Sequence, residues 1–160
     1  MMRFLSIDPG SAITGFGIID SDGKKYHLIK QGTIILKKIK EHPLKLKKIY
    51  YEVNNLILEH QPDEFAIEDV FISKNPQSAL KLGQARGAAI CAAVNNNLGV
   101  FEYFPRIVKK TVVGAGSADK NQVQHMIKIL LNCRAEKITE DAADALAVGI
   151  CHINHKRNII

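Results

Sequence analysis

Residues 3–36 read RFLSIDPGSAITGFGIIDSDGKKYHLIKQGTIIL, three apolar runs separated by turn residues. RFLSID is a short apolar strand that stops at Asp8-Pro9-Gly10. TGFGIID alternates in polarity and ends at SDGKK, where Asp22-Gly23 is a strong hairpin signal. YHLIKQGTIIL supplies the third run, so the chain opens with a three-stranded meander.

Downstream of the meander the period changes. Pro43 opens a helical pattern in which Leu46, Ile49, Val53, Leu56 and Ile57 share one face, up to His60-Gln61-Pro62. DEFAIEDVFI, residues 63–72, reads as a buried strand. From Pro76 to Asn97 a long helix carries Leu80, Gly83, Gly87, Cys91 and Val94 at steps of three and four. The strand GVFEYF follows, Pro105 marks a break, VVGAGSADK is a loop, and residues 120–132 form another helix. The last helix contains EDAADALAVGI, residues 140–150, and frays into HKRNII. Three strands, helix, strand, helix, strand and then helices describe an α/β architecture, a mixed five-stranded sheet with helices on both faces. This is the order of the ribonuclease H-like fold, and the actin-like ATPase domain shares it.

A chain of 160 residues fits one domain, residues 1–160, able to bury about 70% of the surface its unfolded form exposes. No run of eighteen apolar residues occurs, and MMRFLSIDPG reaches an acid and a turn too early for a signal peptide, so a cytoplasmic protein without a membrane partner is expected. Cys91, Cys133 and Cys151 are widely spaced in apolar helical contexts and are expected as reduced, buried thiols. Nine of the seventeen lysines fall between Lys24 and Lys48. That surplus suits a polyanionic partner, nucleic acid ahead of membrane, or else a solvated lysine-rich face.

Five acids stand out against this background. Asp8 ends the first strand, where Asp-Pro-Gly is also good turn chemistry. Glu68 and Asp69 interrupt FAIEDVF, and acids are depleted in strands covered on both faces. Alternation sends one of the two to each face. Asp141 and Asp144 lie three apart on the last helix and repel each other. Thr139 as N-cap and the helix dipole account for Asp141, but Asp144 sits deeper, among Ala142, Ala143, Ala145 and Leu146. If the first strand and FAIEDVF are neighbours, Asp8 and Glu68 emerge side by side, and the last helix can bring Asp141 and Asp144 alongside. Such a cluster calls for divalent cations, and oxygen-only donors favour Mg²⁺ or Mn²⁺ over zinc.

SIDPGSAITGFGII, FAIEDVFISKNPQSALKLGQARG, VFEYFPRIVKKTVVGAGSADKNQVQHM and DAADALAV together resemble the RuvC family of Holliday-junction resolvases, in one register over nearly the whole chain. The resemblance implies a crossover junction endodeoxyribonuclease active in recombination and repair. It implies two Mg²⁺ ions per subunit, with Mn²⁺ able to substitute, held by Asp8, Glu68, Asp141 and Asp144. Hydrolysis then leaves 5′-phosphate and 3′-hydroxyl ends through paired, symmetric nicks in strands of like polarity. The lysines matching Lys109 and Lys120 bear on catalysis or DNA contact, and the aromatic matching Phe71 stacks on bases near the crossover. Lys74, Lys81 and Arg86 are assigned phosphate contacts by position. The family often has a neutral residue where Asp69 stands, and Asp69 receives no role.

A four-way junction presents two equivalent strands, so two active sites related by a dyad are expected, and the resemblance points to a homodimer. The stripe of Gly83, Gly87 and Cys91 would let another helix approach closely, or would pack on the chain's own sheet. A branch-migration motor of the RuvA and RuvB type is the expected partner, and no nucleotide cofactor is. Two other functions fit parts of the pattern: an actin-like phosphotransferase or ATPase, from IDPGSAITGFGIID, and a branched-DNA-binding protein without catalysis, from the basic surplus.

Overall fold

The computed structural model describes residues 1–70, 74–134 and 136–158. Strand β1 (Met2–Asp8) lies at the centre of a five-stranded sheet. On one side it pairs antiparallel with β2 (Ile13–Ser21), which pairs antiparallel with β3 (Tyr26–Ile35). On the other side it pairs parallel with β4 (Glu64–Glu68), and β4 pairs parallel with β5 (Val100–Tyr103), giving the order β3-β2-β1-β4-β5.

The parallel crossover from β3 to β4 requires a helix, and α1 (His42–His60) provides it with Pro43 in its first turn. α2 (Pro76–Asn95) returns the chain to β5, capped by the Asn75 side chain, which accepts from the Gln77 and Ser78 amides. Leu5 and Ile7 of β1, Phe65 and Ile67 of β4 and the alanines Ala85, Ala89, Ala92 and Ala93 of α2 form the core on this face. The opposite face takes Phe4, Ile19 and Ala66 and is covered by α5 (Glu140–Arg157), with α3 (Pro105–Val113) and α4 (Lys120–Leu130) packed outside it. α5 is buried on every side from Ala145 to Ile153, as expected of a helix between a sheet and other helices.

Alternation along the two central strands fixes where their acids point. Phe4 and Ala66 face α5 while Leu5, Ile7, Phe65 and Ile67 face α1 and α2, so Asp8 and Glu68 are directed to the α5 side.

α5 lies close to the sheet because glycines line the seam, Gly15 and Gly17 on β2 and Gly149 on α5 itself. A Cβ on Gly15 would stand 1.9 Å from the Asp141 carbonyl oxygen, one on Gly17 2.5 Å from Leu146 Cδ2, and one on Gly149 2.8 Å from Ser6 Oγ. At its far end α5 is pinned by His152, whose ring lies 2.8 Å from both the Tyr103 hydroxyl and Glu64 Oε2 and stacks on Phe101 at 4.3 Å. Lys156 also pairs with Glu64.

Several expectations are corrected. Pro105 does mark the break after β5, but a helix not expected from the sequence begins there: Pro105 occupies the first turn of α3, where a missing N–H costs nothing. β4 stops at Glu68 rather than continuing through Val70. α5 holds through Arg157 instead of fraying at His155, whose ring Nδ1 lies 2.8 Å from the Cys151 carbonyl. The stripe of Leu80, Gly83, Cys91 and Val94 is the solvent face of α2, its core face being alanine, so Cys91 is exposed while Cys133 and Cys151 are buried. No described helix is long and apolar enough to cross a membrane.

The approach at Gly15 yields a direct test. Gly15→Ala places a methyl group against backbone that cannot turn aside, and is expected to cost about 1–3 kcal/mol in urea unfolding. Native stability in that variant would show that α5 does not rest on β2 there.

Candidate active site

Asp8 and Glu68 end adjacent parallel strands: the β1–β4 ladder runs to Ile7 and Ile67, and each acid is the next residue. Asp8 also pairs across the antiparallel ladder with Gly15. Since Gly15 rests against the Asp141 carbonyl, the first turn of α5 lies beside Asp8. The Thr139 hydroxyl accepts from the Ala142 amide and starts α5 there. Beyond Asp8 the chain turns back into β2 under control of Thr14, whose hydroxyl donates to the Gly10 carbonyl and accepts from the Gly10 amide.

The consequence is electrostatic crowding. Burial, a hydrogen bond with Glu68 and the charges of Glu68 and Asp141 raise the Asp8 carboxyl well above its ordinary range, against the opposing pull of Lys120. Glu68 is raised by burial and by the charge of Asp144, while the proton donated by Asp8 and the charge of Lys109 act the other way. Burial and the charge of Asp8 push Asp144 up to about 6. Of the two, Asp8 is the carboxyl raised more strongly, with its proton directed to Glu68.

The basic residues divide. Lys120 is the first residue of α4, set there by a capping box in which Asp119 accepts from the Gln122 amide and the Gln122 side chain accepts from the Asp119 amide. Its ammonium pairs with Glu140 and feels the charges of Asp144 and Asp141. Lys109, half-buried on α3, acts on Glu68. Lys74 and Lys81 are exposed near the start of α2, and no hydrogen bond or ion pair among the described residues ties them to the acids. Phe71 lies outside the described residues.

Arg86 departs from its expected place at a phosphate. Its side chain is only 15% exposed, and its guanidinium is engaged by Asp69 and Glu102. Glu140 was not singled out from the sequence, where it looks like one more acid favoured by the helix dipole.

The four acids offer a donor set made wholly of carboxylate oxygens, which matches hard divalent cations and not zinc. Among the described residues no three ligand-type side chains already surround a common point. The raised carboxyls fit a cation nevertheless: a site whose acids repel each other enough to retain protons is one that positive charge relieves.

That repulsion has a pH signature. Below about pH 4 Asp144 is protonated in folded and unfolded chains alike. As pH rises toward 6 the unfolded chain gives up its proton first, so the folded state loses stability across that window. In chelator, Asp144→Asn is therefore expected to match the native Tm near pH 4 and exceed it by about 2–4 °C at pH 7.5, the shift that about 1 kcal/mol gives at this size. Mg²⁺ should narrow the difference by stabilising the native chain alone. A Tm for the variant at or below the native value at pH 7.5 in chelator would contradict the crowding.

The family model "Crossover junction endodeoxyribonuclease RuvC" matches residues 4–152. A protein of that name from Pasteurella multocida is 55% identical over 152 residues, covering 95% of this chain and 79% of its own. Another, from Aliivibrio fischeri, is 52% identical over 160 residues, covering 100% of this chain and 91% of its own. Among solved structures, Thermus thermophilus RuvC in complex with a Holliday junction substrate superposes with a TM-score of 0.91 at 27% identity, covering 99% of this chain and 96% of that one. The yeast mitochondrial Holliday junction resolvase shares the fold, with a TM-score of 0.72 at 12% identity over 99% of this chain and 82% of that one.

Proposed function

Because the chain belongs to the RuvC family of crossover junction endodeoxyribonucleases, we propose that it resolves four-way DNA junctions by paired, symmetric nicks in strands of like polarity. It is a divalent-metal-dependent hydrolase of the nuclease class, and its finer chemistry is read from its own residues. The observation that carries the reading is the parallel pairing of β1 with β4, which sets Asp8 beside Glu68 under the helix that carries Asp141 and Asp144.

In this reading Asp8, Glu68, Asp141 and Asp144 hold two Mg²⁺ ions, or Mn²⁺ in their place. The bound pair would supply activation of the attacking water and stabilisation of the leaving 3′ oxygen. Lys120, held near the acids by Glu140, offsets charge that builds on the phosphate, and Lys109 shares that task beside Glu68. Gly114, with φ 89°, ends α3 and lets the backbone before Lys120 approach the strand being cut. The products are 5′-phosphate and 3′-hydroxyl ends.

Two equivalent strands call for two equivalent sites, and a homodimer built on α2 supplies them. Leu80 is 67% and Val94 57% exposed on the same helix face as Gly83 and Gly87, whose Cβ positions open onto empty space. Lys81 on this helix and Lys74 just before it, together with Phe71, serve the junction, as the resemblance implies. A RuvA and RuvB type motor would deliver the junction, and the cytoplasm is the compartment in which DNA, motor and nuclease meet. The relatives are named as endonucleases, which favours neither the phosphotransferase nor the non-catalytic reading.

Cleavage is tested on a synthetic four-way junction and a linear duplex, in Mg²⁺ and in chelator. The native chain is expected to cut opposing strands of the junction only, and Asp8→Asn to lose at least about 1,000-fold in rate while still binding it. Undiminished cutting by Asp8→Asn would defeat the metal-site assignment. For the dimer, Gly87→Arg should shift sedimentation at micromolar concentration from dimer to monomer at unchanged Tm. A native chain that sediments as a monomer, free and junction-bound, would rule the dimer out.

A further inference from the structure

Glu68 points its carboxylate to the α5 face, but its main chain is held from the other side of the sheet. Arg86, in the middle of α2, donates from Nε to the Glu68 carbonyl oxygen at 3.2 Å. Its Nη2 lies 2.8 Å from Glu102 Oε2 and 3.5 Å from Asp69 Oδ1. Glu102 precedes Tyr103, the β5 residue paired with Glu68. One guanidinium thus spans the ends of β4 and β5 and touches the carbonyl of an acid whose carboxylate emerges on the opposite face.

We propose that Arg86 is a positioning residue for Glu68, fixing from behind the sheet the direction in which Glu68 is presented to the cations. The inference rests on the reading of Glu68 as a metal-holding acid.

The strand end needs such a hold. The β1–β4 ladder stops at Ile7 and Ile67, and β4 itself stops at Glu68. Asp69 is already turning away: its amide donates to the Tyr103 carbonyl at 2.8 Å, and its Oδ1 accepts from the Val70 amide at 2.8 Å. A last strand residue can twist about its own backbone, and a carboxylate on it would swing. The rigid guanidinium donates from Nε to that carbonyl and so holds Nη2, which makes no hydrogen bond of its own among the described residues, at ion-pair distance from two neighbouring carboxylates, a placement a lysine cannot reproduce.

Charge and access argue against a phosphate contact. The Arg86 side chain is 15% exposed, and a DNA phosphate would have to displace both carboxylates to reach it. The same arrangement gives Asp69 a place, as counter-ion to Arg86 on the face away from the cations. Mg²⁺ tolerates little departure from octahedral geometry, so a small error at one carboxylate matters. Groups that orient metal ligands typically carry 10–100-fold in metal affinity or activity.

The test uses the full chain and Mn²⁺ alone as probe, titrated by calorimetry, alongside junction binding in chelator over a range of salt and single-turnover junction cleavage. Arg86→Gln is expected to weaken Mn²⁺ binding about 10-fold or more and slow cleavage about 10–100-fold. Junction affinity in chelator and its salt dependence should stay native. Arg86→Lys, which keeps the charge and loses the fork, should fall between the two, and it is read by the same titration if Arg86→Gln fails to fold. Native Mn²⁺ affinity in the variant that folds overturns the proposal. So does weakened junction binding with a salt slope reduced by about one at native Mn²⁺ affinity, since that is the mark of a lost phosphate contact. Asp8→Asn separates the two readings: if it binds Mn²⁺ as the native chain does, the metal site itself is wrong and the positioning role falls with it. If only Arg86→Gln behaves as native, the metal site stands and the positioning role alone fails.

Discussion

The backbone contact between α5 and β2 at Gly15 is the constraint on which the rest of the structure depends. Gly15 faces Asp8 across the strand ladder and the Asp141 carbonyl across the layer, so one missing side chain sets the distance between sheet acids and helix acids. Gly17 and Gly149 extend the close approach along the helix, and Ala142, Ala143, Ala145 and Ala147 keep the helix itself thin. Larger residues in this seam would add apolar burial and move the acids apart. The fold gives up side-chain packing there to hold like charges together.

Such an arrangement opposes folding, and positive charge at the site would relieve it. Burial raises Asp8, Glu68 and Asp144, and a bound cation would pull each the other way. The remainder of the chain resists this strain at a distance. His152 joins Tyr103 and Glu64 at the far end of α5, and Arg86 clasps the ends of β4 and β5 from behind. The acids thus sit between two polar anchors, one on each face of the sheet.

Much of this was legible in the sequence because it was written in period and in misplaced charge. The meander, the crossover helix and the central parallel strand follow from alternation, Asp22-Gly23 and the spacing of Leu46 to Ile57, and the sheet has those strands in that order. An acid after an apolar strand and a second acid deep in an alanine helix were visible as departures from propensity. What periodicity could not show was which face a spacing marked. On α2 the stripe from Leu80 to Val94 fits either a contact with another helix or packing on the chain's own sheet, and the structure fills the core with alanines and turns the stripe outward. Arg86 looked like a phosphate ligand because its partners, the Glu68 carbonyl and Glu102, come from other strands and leave no local trace. Pro105 marks the end of β5 as its type suggests, but proline both stops elements and starts helices, so α3 beyond it left little local signal. Gly15 carried no signal at all, since a glycine in a strand does not say what lies against it.

The central claim is that four carboxylates on two strands and one helix form a single two-cation site. The most direct measurement is anomalous diffraction from crystals of the native chain grown with Mn²⁺ and an uncleaved junction. The account predicts two Mn²⁺ peaks about 3.5–4 Å apart, among the carboxylates of Asp8, Glu68, Asp141 and Asp144. Peaks elsewhere in the molecule, with these four side chains bare, would contradict it.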